Sequence, residues 1–397
     1  MNQNPISVPP VWSNIGKHEV FPETTHDERA RYNFLASLNK HLSGSVAPGN
    51  RIAYDTRVKP HFREEAGRDF NSRDEVHEAM LEDPYFQSWS ALRRSTMEMR
   101  QQAGRSLTLR QAHTLARKAE QLNAGKSTLV LNESVQVPNY LMAVDNHLMP
   151  GSYHTDYMEN DVSAAANYDT GLFVTTAGML GRYSDGGGKA IAQWVKTTYP
   201  DFNPKRILDI GCGMGHNVLP IARLFPDAEV VAIDTGAPML RYGHARAMSL
   251  GISNVTFVQM DAADMADFAD ASFDWIQTTM FLHETGGFAI HKIMAEIYRL
   301  LTPGGLTMHI EQPQYTPEMD YFEQFIRDWD AYYNNEPFWS KMHDLAPVDI
   351  LTRAGFSPEG FMQIGVKAMN DLDDGTQKNE PEDYGRSPVW NVFGTWK

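Results

Sequence analysis

The run R-I-L-D-I-G-C-G-M-G-H-N at residues 206–217 is where residue type and spacing in this chain come closest to chemistry. Arg206–Ile210 reads as a strand that runs straight into Gly211, Gly213 and Gly215, with a helix after them. Such glycines permit positive φ in a tight turn and let a ligand lie against bare backbone. The helix start beyond them offers unpaired N–H groups and a positive dipole end. Asp209, two residues before the first glycine, can accept from the loop amides or face a ligand's ammonium group. Asp234 closes A-E-V-V-A-I-D, where a carboxylate at the end of a second strand can take both hydroxyls of a ribose. Asp261, ending a third strand, can accept from an adenine amino group. Asp264 reads instead as a turn or helix cap.

The elements that must hold these residues follow from the hydrophobic pattern. Past about residue 190, short apolar strands alternate with helical periods, the mark of a parallel sheet covered on both faces. Strands are expected at 206–211, 229–234, 255–259, 273–279 and 306–311, with helices at 216–225, 237–250 and 288–301. Two further helices fall near 318–333 and 346–354, and two terminal strands at 361–368 and 388–396 flank an acidic polar stretch. The fold class is therefore α/β, a doubly wound, seven-stranded, mostly parallel sheet with a C-terminal antiparallel hairpin. L-T-P-G-G at 301–305 is a structural turn in it.

The first half differs. Residues 1–24 are proline-rich and expected as an extended arm, and 25–165 as a mainly helical domain. Its stripes are Phe34, Leu35, Leu38 and Leu42, then Phe86, Trp89 and Leu92, then Ala112, Leu115, Ala119 and Leu122. Ser43–Pro60 reads as loop, 129–137 as a short strand, and 138–171 as a polar connector.

Composition narrows the partners. A chain of 397 residues is expected to hold two domains. A net charge of −15 argues against nucleic acid, whose phosphates are held by lysine and arginine fields. No apolar run is long enough for a membrane span, and the first residues lack the layout of a secretory signal. With the single Cys212 unable to form an internal disulfide, a cytoplasmic location is expected. Cys212 itself reads as a small packing residue in the glycine loop, and no histidine pair has zinc-enzyme spacing, so no metal is expected.

In order and spacing, I-L-D-I-G-C-G-M-G, A-I-D, M-D-A-A-D, F-D-W-I-Q-T-T-M-F-L-H-E and L-T-P-G-G resemble the class I S-adenosylmethionine-dependent methyltransferase superfamily, most of all its ubiquinone-type and other small-molecule branches. The likeness covers about residues 190–356 and does not reach 1–165. An NAD- or FAD-dependent oxidoreductase is one alternative, against which His216 argues by standing where a dinucleotide fingerprint wants glycine. A non-catalytic cofactor-binding scaffold is the other alternative. The resemblance implies S-adenosylmethionine as cofactor, with Gly211, Gly213 and Gly215 along its methionine and ribose part, Asp234 at the ribose and Asp261 at the adenine. Met239 either packs on the adenine or belongs to the core. Tyr183 is a candidate cofactor contact in a segment that precedes the sheet, where Gly186–Gly188 reads as a hinge or a plain glycine loop.

The resemblance also places the methyl acceptor beyond the ends of the fourth and fifth strands. His283 and Glu284 follow one of these, and His309 and Glu311 end the other. His283 is the first choice as base or acceptor ligand, since histidine titrates near neutral pH; its alternative is to hold the loop. Glu284 and Glu311 follow it as candidates. Some aromatics of 317–333 are expected to wall the acceptor pocket, and the helical region to cover it or to mediate homodimerisation. The acceptor is expected to be a small molecule.

Overall fold

R-I-L-D-I, E-V-V-A-I-D and F-D-W-I-Q-T-T are apolar on both faces, so each strand needs cover above and below. The computed structural model describes residues 11–369 and 389–397. Its strands are β1 (Leu129–Val130), β2 (Arg206–Ile210), β3 (Glu229–Asp234), β4 (Val255–Gln259), β5 (Phe273–Thr279), β6 (Leu301–Ile310), β7 (Met362–Lys367) and β8 (Val389–Trp396). They form one sheet in the order β1-β4-β3-β2-β5-β6-β8-β7, with β8 antiparallel to both neighbours. Leu208, beside Val231 and Ile276, faces the Gly287–Leu300 helix through Ile290, Ile293 and Ile297. Ile207, Val230 and Trp275 turn the other way, onto Ile191, Val195 and Ile221. The chain leaves β2 toward β3 and β4 and returns on the other side as β5. That reversal opens a crevice at the carboxyl end of β2, where the glycine loop stands.

The sheet holds eight strands rather than the expected seven. The expected strand at 129–137 is only Leu129–Val130, which pairs with Phe257 and Val258 at the edge. The Pro-Gly-Gly turn bulges out of β6, since Leu301 pairs with Phe273 and Leu306 with Trp275. The acidic stretch before β8 lies largely outside the described residues.

The N-terminal half departs further from expectation. Ser43–Pro60 is helical, passing through π turns at Leu42–Val46 and Tyr54–Val58 and short helices at Pro48–Ala53 and Lys59–Ala66. Pro48 and Pro60 sit in first turns, where a missing N–H costs nothing. Within 138–171 lies the start of the Ser163–Thr175 helix, buried on nearly every side. Its A-A-A-N-Y-D-T-G-L-F-V composition, mostly small residues with apolar ones on every side, suits a central helix. The described part of the arm is packed down, because Trp12, Val20 and Phe21 cannot profitably stay in water. Trp12 stacks on Tyr32 at 4.2 Å, and Gly16 N–H donates to the Arg182 carbonyl at 2.7 Å. Phe34 and Leu92 point outward, 58% and 50% exposed, so the true faces run through Tyr32, Leu35 and Asn39 and through Phe86, Trp89, Met97 and Leu107. Residues 317–333 form two helices, Tyr321–Arg327 and Trp329–Tyr333. Phe322, Phe325 and Trp329 there pack on Tyr54, Phe70, Phe86 and Trp89 of the N-terminal region.

Candidate active site

The glycine loop is clamped to the end of β3. Gly211 and Cys212 donate their N–H groups to the Ile233 carbonyl at 2.9 and 3.0 Å, and Gly213 donates to Asp234 Oδ2 at 2.8 Å. Asp234 Oδ1 accepts from Gly236 N–H at 2.8 Å. The three loop glycines have φ of 71°, 50° and 79°, a region that favours glycine. A Cβ on Gly211 would strike the Phe281 ring at 2.1 Å, whereas one on Gly213 would meet nothing within 4 Å. Gly213 is thus bare backbone at the cleft it lines.

That cleft, the first chamber, offers about 1150 Å³ of space, part of it open to solvent, and is lined by Gly211, Gly213, Asp234, Met239, Asp261 and Glu284 among others. Met239 serves both readings, being fully buried in the core and part of the lining. Asp261 also caps its own turn, accepting from Ala263 N–H at 2.8 Å. Three expected cofactor residues stand elsewhere. Asp209 lies under the loop, where its carboxylate accepts from Gln277 Nε2 at 2.8 Å rather than from the loop amides. Burial pushes its carboxyl up to about 7, against the Gln277 bond, and the Asp234 charge adds to the rise. Gly215 meets the Phe257 ring, 3.0 Å from where a Cβ would be. Tyr183 lines neither chamber; its ring packs over Gly16 and its carbonyl accepts from Arg246. Gly186–Gly188 open the Gly186–Thr198 helix, and a Cβ on Gly188 would lie 1.9 Å from the Asn217 carbonyl oxygen.

A second chamber of about 1280 Å³ shares Tyr168, Leu172, Met280 and Glu284 with the first, so these four form a common wall. The N-terminal helices contribute Trp89, Arg93 and Arg100 to it, and the region after β6 contributes Arg327, Glu336 and Trp339. His283 lines this chamber, edge-on to Trp339 at 4.8 Å. Its Nδ1 is 2.6 Å from Glu311 Oε1. Burial works against a charged ring, yet the Glu311 carboxylate prevails and pushes His283 up to about 9. That shift favours the imidazolium, a donor, over the neutral ring that a base needs. Glu311 accepts from the Leu282, His283 and Gln312 amides as well, so it anchors the loop after β5 and lines neither chamber. His309 is locked between Thr278 and Thr307 at 3.0 Å each.

Glu284 is brought into the wall by residues from far away in sequence. It accepts from Tyr153 OH at 2.8 Å, from Asn146 Nδ2, and pairs with His147 Nε2 at 3.2 Å. Burial alone would raise Glu284, but the His147 bond and charge hold it at about 2. His147 Nδ1 pairs in turn with Glu336. Burial opposes that charge too, and the two carboxylates push the ring up to about 10. Among the described residues this trio alone has the composition and closeness of a metal cluster. Each ring nitrogen of His147 nevertheless faces its own carboxylate, the arrangement of an imidazolium between two acceptors.

Comparison with known proteins agrees with this geometry. Residues 207–305, from β2 to the Pro-Gly-Gly bulge, match the family model described as a methyltransferase domain. The chain is 34% identical over 110 residues to the demethylmenaquinone methyltransferase of Thermus thermophilus, covering 28% of this chain and 48% of that protein. It is 32% identical over 106 residues to the trans-aconitate 2-methyltransferase of Methylobacterium radiotolerans, covering 26% and 36%. The chain thus spans about half the length, or less, of these curated relatives. Among solved structures it is similar to Haemonchus contortus phosphoethanolamine N-methyltransferase 2 in complex with S-adenosyl-L-methionine, at 19% identity, 58% of this chain, 57% of that chain and a TM-score of 0.41. Residues 207–305 thus match a methyltransferase domain, and this matched segment carries the glycine loop and Asp234.

Sequence reasoning missed Arg100, His147, Tyr153, Tyr168 and Glu336. Only Arg100 carried a signal, a cation on the buried stripe of its helix between Met97 and Leu107. Of the aromatics of 317–333, Phe322, Phe325 and Trp329 went to the core while Tyr321 and Tyr332 are exposed, and the polar Arg327 and Asp330 face the chamber.

Proposed function

We propose that this chain transfers a methyl group from S-adenosylmethionine to a small molecule held in the second chamber, with the N-terminal helices as the cover of that chamber. The observation that carries the reading is the pair of chambers meeting at Tyr168, Leu172, Met280 and Glu284. The first chamber suits the cofactor through its polar lining: a half-buried carboxylate at the end of β3, a second just past β4, and bare backbone at Gly213. Asp234 and Asp261 would hold the ribose and adenine. When bound, the cofactor supplies an electrophilic methyl on a sulfonium.

The chain's own part is to position the acceptor and exclude water. Glu284, kept ionised by His147, fixes negative charge in the common wall, which favours a cation on either side of it. His283, kept protonated by Glu311, offers an Nε2–H to an acceptor oxygen and so favours that oxygen's anionic form. The test is calorimetric titration with S-adenosylmethionine and S-adenosylhomocysteine on the wild type and Asp234→Ala. Binding weakened roughly a hundredfold by the substitution, followed by product mass from an acceptor panel, supports the reading. Absence of binding by either sulfur compound overturns it.

A further inference from the structure

Arg100 comes from the middle of the Pro84–Leu109 helix and is 2% exposed. Its Nη1 donates to Thr175 Oγ1 at 2.7 Å, while Nε and Nη2 have no hydrogen-bond partner. No carboxylate stands within ion-pair distance of it among the described residues. The other charges lining the second chamber are matched. Arg93 pairs with Asp330 at 3.1 Å, Arg327 with Glu323 at 3.0 Å, His283 with Glu311, and His147 with Glu284 and Glu336. Arg100 is the cation left over, and burial lowers its proton affinity accordingly.

The surroundings keep room for that guanidinium. A Cβ on Gly171 would lie 2.7 Å from Nε and 3.1 Å from Cζ, so the glycine lets the group lie against the Ser163–Thr175 helix. Tyr168, Gly171 and Thr175 follow one another at spacings of three and four on that helix and make one face. A buried, unpaired cation is costly, and a planar fork with two free donors matches a carboxylate or phosphate.

We propose that the methyl acceptor carries an anionic group, a carboxylate or a phosphate, that docks on Arg100 in the second chamber. Thr175 and Tyr168 are seven residues apart on one helix, so the anion sits roughly 5–10 Å from the wall where the chambers meet. The acceptor is therefore a small acid, its reacting atom within that reach of the charge. Calling the occupant the acceptor rests on the methyltransferase reading; the anion site itself does not.

The probes are malonate for the carboxylate arm and inorganic phosphate for the other, titrated into the full chain. In wild type uniformly labelled with nitrogen-15, the Arg100 Nε–H resonance should shift on adding the better probe. Arg100→Gln should weaken that binding roughly ten- to a hundredfold, and Arg100→Lys, which keeps the charge but loses the fork, by a smaller factor. S-adenosylhomocysteine affinity, measured on the same samples, should stay within about twofold of wild type, because Arg100 does not line the first chamber. An Arg100 resonance unmoved by both probes overturns the inference whether or not the variants fold. Loss of S-adenosylhomocysteine binding in the wild type overturns the methyltransferase reading instead, and leaves the anion result standing.

Discussion

Asp209→Asn should stabilise the protein, and by more at high pH than at low pH. The Asp209 carboxyl, ordinarily at 3.8, is pushed up to about 7. A carboxyl raised on folding is neutral in both states below 3.8, so folding there carries no penalty. Above 3.8 the unfolded chain ionises first, and the penalty grows until the folded group ionises near 7. Three units at about 1.4 kcal/mol each set a ceiling of roughly 4 kcal/mol at pH 8, and about half of that at pH 5.5. Asparagine stays neutral throughout and can also donate to Gln277 Oε1, which has no partner. The advantage of the variant should therefore widen by about 2 kcal/mol between pH 5.5 and 8, or roughly 2–3 °C in Tm for a chain of this length. Differential scanning calorimetry of ligand-free protein at the two pH values measures it. A Tm difference that is flat with pH, or a variant less stable at pH 8, would refute the placement of an ionising carboxyl in that buried position.

Three further outcomes follow from the geometry. Glu311→Gln removes the partner that raises His283 from 6.5 to about 9; that stabilisation is full below 6.5 and lost as pH climbs through 9. The stability gap to wild type should accordingly shrink by roughly 3 kcal/mol between pH 6.5 and 9.5, as read from urea unfolding. Gly213→Ala projects a methyl into open space, so its cost is backbone strain of about 1 kcal/mol together with weaker cofactor binding. Gly188→Ala meets the Asn217 carbonyl, and thermal melts should show it to be the more destabilising of the two. Deleting residues 1–128 strips Val20, Leu115 and Ala119 from Met239, Tyr242 and Ala245. Circular dichroism should then show no cooperative melt; a folded, cofactor-binding fragment would refute the shared core.

What was legible in the sequence is what short-range pattern encodes. β2, β3 and β4 and the helices between them lie within about two residues of expectation, because strand, glycine turn and helix each carry a local signature. The meeting of Asp234, Gly211 and Gly213 at one cleft was legible for the same reason. The Ser163–Thr175 helix was not, since small polar and apolar residues mixed together give no amphipathic period. Ser43–Pro60 misled because proline and glycine read as breakers, whereas at a helix start proline breaks nothing. The pairing of His283 with Glu311 was out of reach as well. The residue type suggested a base, and only Glu311, 28 residues on, makes the ring a cation.

The division into a helical domain and a methyltransferase domain also dissolves at the site. Glu284 belongs to the loop after β5, yet its oxygens are held by Asn146, His147 and Tyr153. His18 of the arm pairs with Asp169 at 3.1 Å, and Asp169 also takes Tyr242 OH at 2.8 Å from the helix that follows β3. A carboxylate so bonded cannot keep its position if the cover lifts away as a rigid body, because each lost donor leaves a buried acceptor unpaired. Acceptor exchange must then use smaller movements than opening of the whole N-terminal region, and substitutions in either half should alter the wall between the chambers. Tyr153→Phe tests this most simply. It removes one hydrogen bond to Glu284 but keeps the ring that lines the first chamber, so turnover should fall while S-adenosylhomocysteine affinity changes far less.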